Sequence, residues 1–210
     1  MSTKLRLAVW LANACILFST LSLTASPQQD EPKRLDDAEE YAVYSAVLKT
    51  KYSDEGLKRF VIATDTSSYA KTTFIGIRTG LAPSGAKRPD MDPETSADFD
   101  AKNKETYQLA DRLSLTIPYA LVTEDQLRKI FHETADGKLD EECWHRFYKE
   151  FPGAPGVIAF SRVGFNAKKD QALLYVGNQR DFLGGSGVFY LLSKRDKAWQ
   201  VDKGVILWLS

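Results

Sequence analysis

The densest group of reactive side-chain types lies between residues 132 and 145. His132, Cys143 and His145 are the kinds of residue that build a zinc site or a cysteine protease. Residues two apart on a helix point about 200° apart, so Cys143 and His145 face different sides of the predicted helix 139–151. Cys143 also falls in the apolar stripe of that helix. We therefore interpret Cys143 as a buried thiol and predict no metal, no cofactor and no catalytic residue here.

A polar, glycine-rich segment from Asn178 to Gly187 is a better candidate for a site. Gly184 to Gly187 could cradle an anion through backbone N–H groups, but phosphate loops lead into a helix and here a strand follows. We predict a ten-residue loop between two strands, because binding residues often lie on loops that a rigid scaffold holds. The predicted ligand-binding or partner-binding residues are Asn178, Arg180, Asp181, Phe182 and Ser186.

A carboxylate-based hydrolase is the alternative. Such sites leave no local sequence signature, because the two acids meet only in the fold. The candidates are Asp65, Asp181 and Asp202. Residues 82–95 are rich in proline and charge, and this segment predicts a second, exposed loop that either closes over a site or is a tolerated insertion.

The elements that must position these residues are clearest in the last quarter of the chain. Four apolar runs rich in aromatic and β-branched residues follow one another with polar turns between them, which predicts an antiparallel meander. A β-bulge is expected at Lys203-Gly204, where the alternation of the last run breaks. The runs are Val157 to Phe165, Ala172 to Val176, Val188 to Leu192 and Trp199 to Leu209.

These strands also carry a family resemblance. The segments concerned are FSRVGFN (Phe160 to Asn166), QALLYVGN (Gln171 to Asn178), GVFYLLSKRDKAWQV (Gly187 to Val201) and LWLS (Leu207 to Ser210). Together they resemble the C-terminal signature of a family of exported bacterial proteins to which no activity is assigned. The resemblance implies export and a shared α+β fold, and no mechanism. Members often hold two cysteines in the loop between the second and third of these strands, whereas residues 178–187 here contain none.

The N-terminus has the features of a secretory signal peptide. Lys4 and Arg6 precede an apolar stretch from Leu7 to Leu23, and Ala25 supplies a small residue for cleavage. We expect a signal peptide over residues 1–25 and hence a periplasmic or extracellular protein that is not attached to a membrane. An uncleaved anchor is the alternative, since the stretch approaches the roughly 18 to 20 apolar residues that span a bilayer.

The charge balance bears on the possible partners, and the cysteine content bears on what stabilises the fold. The chain has 28 basic and 28 acidic side chains, so loss of Lys4 and Arg6 with the signal peptide leaves 26 against 28 and a net charge of about −2. This balance is not that of a nucleic-acid-binding protein. Cys143 is then the only cysteine that remains, so a hydrophobic core rather than a disulfide must hold the fold.

The middle of the chain predicts helices and short strands. Asp36 is a candidate N-cap for the first helix, and Thr123 with Gln126 fits a capping box for the third. Pro118 is expected to end a strand. The predicted helices cover residues 37–51, 98–109, 123–132 and 139–151, and the predicted strands cover a hairpin of 59–64 and 72–78 and an edge strand at 113–117.

These elements predict one α+β domain over residues 37–210, preceded by a flexible leader at 26–36, with helices packed on a mainly antiparallel sheet and a C-terminal four-stranded meander. We expect an exported, non-catalytic domain that binds an envelope protein or a small ligand. The hydrolase remains the alternative, and a purely structural envelope component is a third possibility.

Overall fold

The computed structural model of the chain describes residues 33–52, 56–69, 81, 86–132 and 142–210. The predicted signal peptide and the strand at 72–78 therefore lie outside the described residues. So do most of the leader, part of the loop at 82–95 and the start of the helix at 139–151.

Four helices and seven strands occupy the described residues, which confirms the α+β class. The helices are α1 (Ala38–Lys51), α2 (Pro93–Lys102), α3 (Glu124–Ile130) and α4 (Cys143–Glu150). The strands are β1 (Phe60–Ala63), β2 (Tyr119–Val122), β3 (Val157–Phe160), β4 (Gly164–Phe165), β5 (Gln171–Gln179), β6 (Gly185–Arg195) and β7 (Ala198–Leu209).

The strands form a single mixed sheet in the order β2-β1-β3-β5-β6-β7, with β4 also paired to β5. β1 is parallel to both β2 and β3, and every later pair is antiparallel. The predicted C-terminal meander is confirmed. β2 and β3 lie on either side of β1, which corresponds to the predicted strand at 59–64, and the other strand of the predicted hairpin, 72–78, lies outside the described residues.

Apolar side chains from both faces of the sheet are buried. α1 covers one face, where Tyr44 stacks on Phe160 with ring centroids 4.7 Å apart. α3 and α4 cover the opposite face at the β1–β3 end, and α2 covers it over β5 and β6. β5 is buried along eight of its nine residues, so it is the central strand of the core.

Local chemistry explains where the helices begin. Asp37, not the predicted Asp36, caps α1 by accepting a 2.9 Å hydrogen bond from the Glu39 N–H. The Thr123 capping box of α3 is confirmed, with both reciprocal bonds to Gln126 present. α2 begins five residues before the predicted helix at 98–109, because Pro93 takes the first helical position, where its missing N–H costs nothing.

Two strand predictions need correction. Residues 113–117 form no strand, and β2 begins after Pro118, whose carbonyl accepts a 2.9 Å bond from the Phe60 N–H. The predicted run Val157 to Phe165 is interrupted between β3 and β4. There the backbone N–H groups of Arg162 and Val163 bond to side chains on other elements instead of to the ladder.

β7 carries two bulges. Its pairing with β6 slips at Asp202, one residue before the predicted Lys203-Gly204 bulge, and slips again at Leu207. Each slip moves the alternation by one residue. As a result Trp199 and Val201 pack on the α1 side of the sheet, while Leu207 packs with the cluster on the α2 side.

Candidate functional site

The segment predicted as a ten-residue loop is a much tighter turn. β5 extends to Gln179 and β6 starts at Gly185, so residues 180–184 alone connect them. The carbonyl of Gly184 accepts hydrogen bonds from the N–H groups of Arg180 and Asp181, at 2.7 and 3.1 Å. The turn is therefore closed on itself and leaves no long loop to fold over a ligand.

The glycines of this segment serve close packing. Gly187 is paired within β6, and a Cβ there would lie 2.0 Å from the indole nitrogen of Trp208. A Cβ on Gly185 would lie 2.6 Å from Oε1 of Gln179. An anion cradle at Gly184 to Gly187 is thus wrong, because the strand ladder and these contacts take up its backbone.

A polar cleft of about 420 Å³ nevertheless lies beside this turn. It opens at one end of the sheet, where the C-terminal ends of α1 and α4 and the start of β3 meet the ends of β5 and β6. Its volume is within the range of small-molecule sites. The described residues that line it are Lys51, Tyr52, Tyr148, Ala154, Pro155, Asn178, Arg180, Ser186 and Tyr190.

Three of the five residues predicted from the sequence line this cleft: Asn178, Arg180 and Ser186. Asn178 and Ser186 are direct cross-strand partners in β5 and β6, so their side chains share one face. Asp181 and Phe182 are exposed in the turn and are not among the residues that line the cleft. The Asp181 carboxylate instead accepts a 2.7 Å bond from the Phe182 N–H.

Three tyrosines from different elements line the cleft. Burial raises the pKa of Tyr52, Tyr148 and Tyr190, and a neighbouring phenol or carboxylate raises the first two further. All three hydroxyls therefore stay protonated at neutral pH. Tyr148 donates a 2.7 Å bond to the carbonyl of Arg180, which ties α4 to the turn. Tyr52 and Tyr190 are the two whose protonated hydroxyls are not donated to the Arg180 carbonyl.

Two cations, Lys51 and Arg180, line the cleft without a counter-ion among the described residues. Within the described part of the chain, neither Lys51 nor Arg180 forms a salt bridge or a side-chain hydrogen bond with another residue. The Asp181 carboxylate lies close enough to Tyr148 to raise its pKa. The local charge of the two cations and this one carboxylate is therefore positive.

Asn178 is polar, buried and only partly satisfied. Its residue is 8% exposed, and its side chain hydrogen-bonds Tyr52. The Oδ1 atom has no hydrogen-bond partner among the described residues. Buried polar atoms are seldom left without a partner, and their desolvation costs about 1 to 3 kcal/mol.

The wall opposite β5 can approach closely because of a glycine. Gly156 has φ +111°, and a Cβ there would lie 2.3 Å from the carbonyl oxygen of Gln179 and 2.8 Å from Oδ1 of Asn178. Only glycine adopts this conformation at little cost. Gly156 therefore holds Ala154 and Pro155 against the ends of the central strands.

No protein-family model, curated protein or solved structure matches this chain. The function must therefore be argued from the site. In the part of the chain that the structure describes, no helix has both the length and the apolar character needed to cross a bilayer.

The three candidate carboxylates of a hydrolase lie far apart. Asp181 is in the β5–β6 turn and Asp202 is in the β7 bulge opposite Leu191 and Leu192, about 20 Å along the sheet at roughly 3.3 Å per residue. Asp65 follows β1, four strands from β7, which is about 19 Å across the sheet. Asp202 is also paired with Arg195 at 2.9 Å. These acids do not form the close pair that a glycosidase-like mechanism needs.

The other sequence candidates take structural positions. Cys143 is buried in the cluster beneath α3 and α4, while His132 and His145 are exposed. In the described part of the loop at 82–95, Arg88 is held by Asp100 at 2.6 Å and lies over the Phe99 ring. That loop segment is packed against α2 rather than free to close over the cleft.

Most of the residues that line the cleft could not be predicted from the sequence. Lys51 and Tyr52 end α1, Tyr148 belongs to α4, and Tyr190 lies in β6, so the cleft draws on elements far apart in the chain. The one available signal was Tyr52, the last of the tyrosines spaced along α1. Tyr52 lines this cleft and two smaller cavities beside it.

Proposed function

We propose that this protein is a non-catalytic binding domain that takes a small anionic ligand in the polar cleft. The observation that carries the proposal is that Lys51 and Arg180 face the cleft without a counter-ion among the described residues. A carboxylate or phosphate group on the ligand would supply that counter-ion. Arginine suits either group, because its planar guanidinium donates two parallel hydrogen bonds.

The uncharged groups of the cleft support the same ligand class. The protonated hydroxyls of Tyr52 and Tyr190 and the Ser186 hydroxyl can donate to oxygen atoms of the anion or of neighbouring hydroxyl groups. A small acid that also carries hydroxyl groups would accept from these donors.

Binding without catalysis follows from the chemistry of the cleft walls. The described residues that line it include no histidine, cysteine, aspartate or glutamate. Ser186 therefore has no general base beside it in this set, and a hydroxyl without a base is a weak nucleophile. The proposal includes export: the signal peptide predicted over residues 1–25 and the family resemblance both support a periplasmic or extracellular protein that meets its ligand in the cell envelope.

Calorimetric titration of the full chain tests the proposal. Acetate, inorganic phosphate and sulfate are compared with neutral glucose at constant ionic strength. We expect binding of at least one anion and no binding of glucose. Arg180→Ala and Lys51→Ala should each weaken anion binding about tenfold, since a charge-assisted hydrogen bond contributes about 1.5 to 3 kcal/mol.

Lys203→Ala is the matched control, because it removes an exposed cation from β7, outside the cleft. It should leave anion affinity unchanged. Equal weakening by all three variants would mean that the anions respond only to the net charge of the protein. Failure of every anion to bind would refute the proposed function.

A further inference from the structure

A second cavity of about 220 Å³ adjoins the polar cleft. The two cavities share Tyr52, Ala154 and Pro155 as a common wall. The rest of the second cavity is lined by Gly56, Leu57 and Gly153. Its described walls are apolar side chains, glycines and the ring of one tyrosine, in contrast to the cations, hydroxyls and amide of the cleft.

Backbone contacts hold the walls of the second cavity together. The Lys58 N–H donates a 2.9 Å hydrogen bond to the Gly153 carbonyl, which joins the segment before β1 to the segment after α4. Gly153 has φ +75°, and a Cβ there would lie 2.7 Å from the side chain of Lys58. Glycine at this position lets the two walls of the cavity meet.

Tyr52 separates the two cavities. Asn178 hydrogen-bonds its hydroxyl on the cleft side. Its ring stands edge-on to Phe60, with centroids 6.1 Å apart. Contacts at both ends therefore fix the ring, so that one residue presents a polar group to the cleft and carbon atoms to the apolar cavity.

We infer that the ligand is an amphipathic anion, dissolved rather than part of a membrane, whose charged group binds at Lys51 and Arg180 and whose short apolar tail enters the cavity beside Leu57. The inference rests on the proposed function and specifies its ligand class. The two cavities lie side by side along Tyr52, Ala154 and Pro155, so a ligand that extends across these residues would contact both.

The size of the apolar cavity limits the tail. At about 220 Å³ it is smaller than a typical complete ligand site of roughly 300 to 1,000 Å³. It fits a few methylene groups or one ring, and not the acyl chains of a membrane lipid. Each buried methylene should raise affinity about fourfold until the cavity is full.

A homologous series of probes tests the inference on the full chain. Inorganic phosphate, methyl phosphate, butyl phosphate and hexyl phosphate are titrated by calorimetry below their micelle concentrations, with hexyl glucoside as the neutral analogue. We expect affinity to rise at least tenfold from inorganic to butyl phosphate and then to level off. Hexyl glucoside should bind far more weakly than hexyl phosphate.

Two leucine variants locate the tail. Leu57→Ala should reduce the gain from the tail and leave inorganic phosphate binding unchanged. Leu115→Ala is the matched control, since Leu115 is also partly buried but lines a separate crevice of about 130 Å³ on the other side of Tyr52. Loss of the gain in Leu115→Ala instead of Leu57→Ala would overturn the placement of the tail.

The outcomes separate this inference from the proposed function. If inorganic phosphate binds and the alkyl chains add nothing, the amphipathic ligand is refuted and the anion-binding cleft stands. If neither phosphate nor its esters bind, and the anions tested above also fail, both proposals are refuted. Cosedimentation with vesicles of phosphatidic acid, in the absence of binding to hexyl phosphate, would refute a dissolved ligand and identify a lipid surface instead.

Discussion

The charged side chains at the two ends of α1 differ in whether other residues pair with them. At the N-terminal end, Glu39 and Glu40 are fully engaged by partners on other elements. At the C-terminal end, Lys51 projects into the polar cleft with no partner among the described residues. We call the N-terminal end closed, because other protein groups pair with its charges. We call the C-terminal end open, because its cation has no partner among the described residues.

The N-terminal network is structural. Glu40 is fully buried and accepts hydrogen bonds from Arg162 at 2.6 Å, from the Val163 N–H at 2.9 Å and from the Tyr44 hydroxyl at 3.2 Å. Arg162 in turn lies 4.2 Å over the ring of Tyr107. Each charge has its counter-charge and its lone pairs are used, so nothing remains for a ligand to satisfy.

The contrast shows how binding residues can be distinguished from structural residues in a chain with few motifs. Both ends of α1 carry charges and tyrosines, so composition does not distinguish them. The difference lies in whether the polar groups have partners. The carboxylates at the N-terminal end pair with other protein groups, while two cations and one buried amide oxygen near the C-terminal end have no partner among the described residues.

The largest effect is expected at the closed end. Glu40→Ala leaves the Arg162 guanidinium without its counter-charge and the Val163 N–H without an acceptor. Loss of one partner of a buried ion pair costs about 3 to 5 kcal/mol. Urea unfolding followed by circular dichroism should show a reduction of this size in the free energy of unfolding. A loss below about 1 kcal/mol would mean that the closed network does not hold α1 in place.

A smaller, pH-dependent effect is expected at Glu39. Its hydrogen bond from Lys194, and then the one from the Trp199 indole at 2.8 Å, lower the pKa of its carboxyl below 4.5. Its stabilisation is therefore present above pH 4.5 and is lost as the pH falls through the lowered pKa. Since Glu39 is partly exposed, Glu39→Gln should cost only about 0.5 to 1 kcal/mol at pH 7. The difference between the two proteins should shrink in unfolding curves at pH 3, and a constant difference would exclude the ionised carboxylate as its cause.

The smallest effect is expected at the open end. Arg180→Ala and Lys51→Ala remove charges that form no salt bridge with a described residue, so each should change the free energy of unfolding by less than about 0.5 kcal/mol. The same unfolding experiment checks this. A loss of several kcal/mol from either variant would show that its charge is part of the scaffold, and would remove the contrast between the two ends.

The sequence predicted what local chemistry determines. The Thr123 capping box and the buried Cys143 could be identified from residues a few positions apart. Pro118 was misleading, because a proline cannot donate to a strand but its carbonyl can still accept, as it does from Phe60. The parallel pairing of β1 with β2 and β3 could not be predicted, because both neighbours come much later in the chain than β1.

The cleft could be predicted only in part for the same reason. Asn178 and Ser186 face each other across one strand pair, and their polarity beside a turn marked them. Lys51 and Tyr148 reach the cleft only because strand order brings the ends of two helices to one end of the sheet. Alternation and spacing report which face a side chain occupies, and they do not report which strands become neighbours.

The separation of Glu40 from Arg162 along the chain affects the order of events during synthesis. α1 is made early, whereas the buried counter-ion of Glu40 and most of the strands that cover the apolar face of α1 follow more than 100 residues later. A 14-residue helix is marginal in water on its own. The C-terminal meander forms from near neighbours and closes quickly. The apolar face of α1 therefore stays partly uncovered until the last third of the polypeptide has been made. During this interval a chaperone would protect the nascent chain.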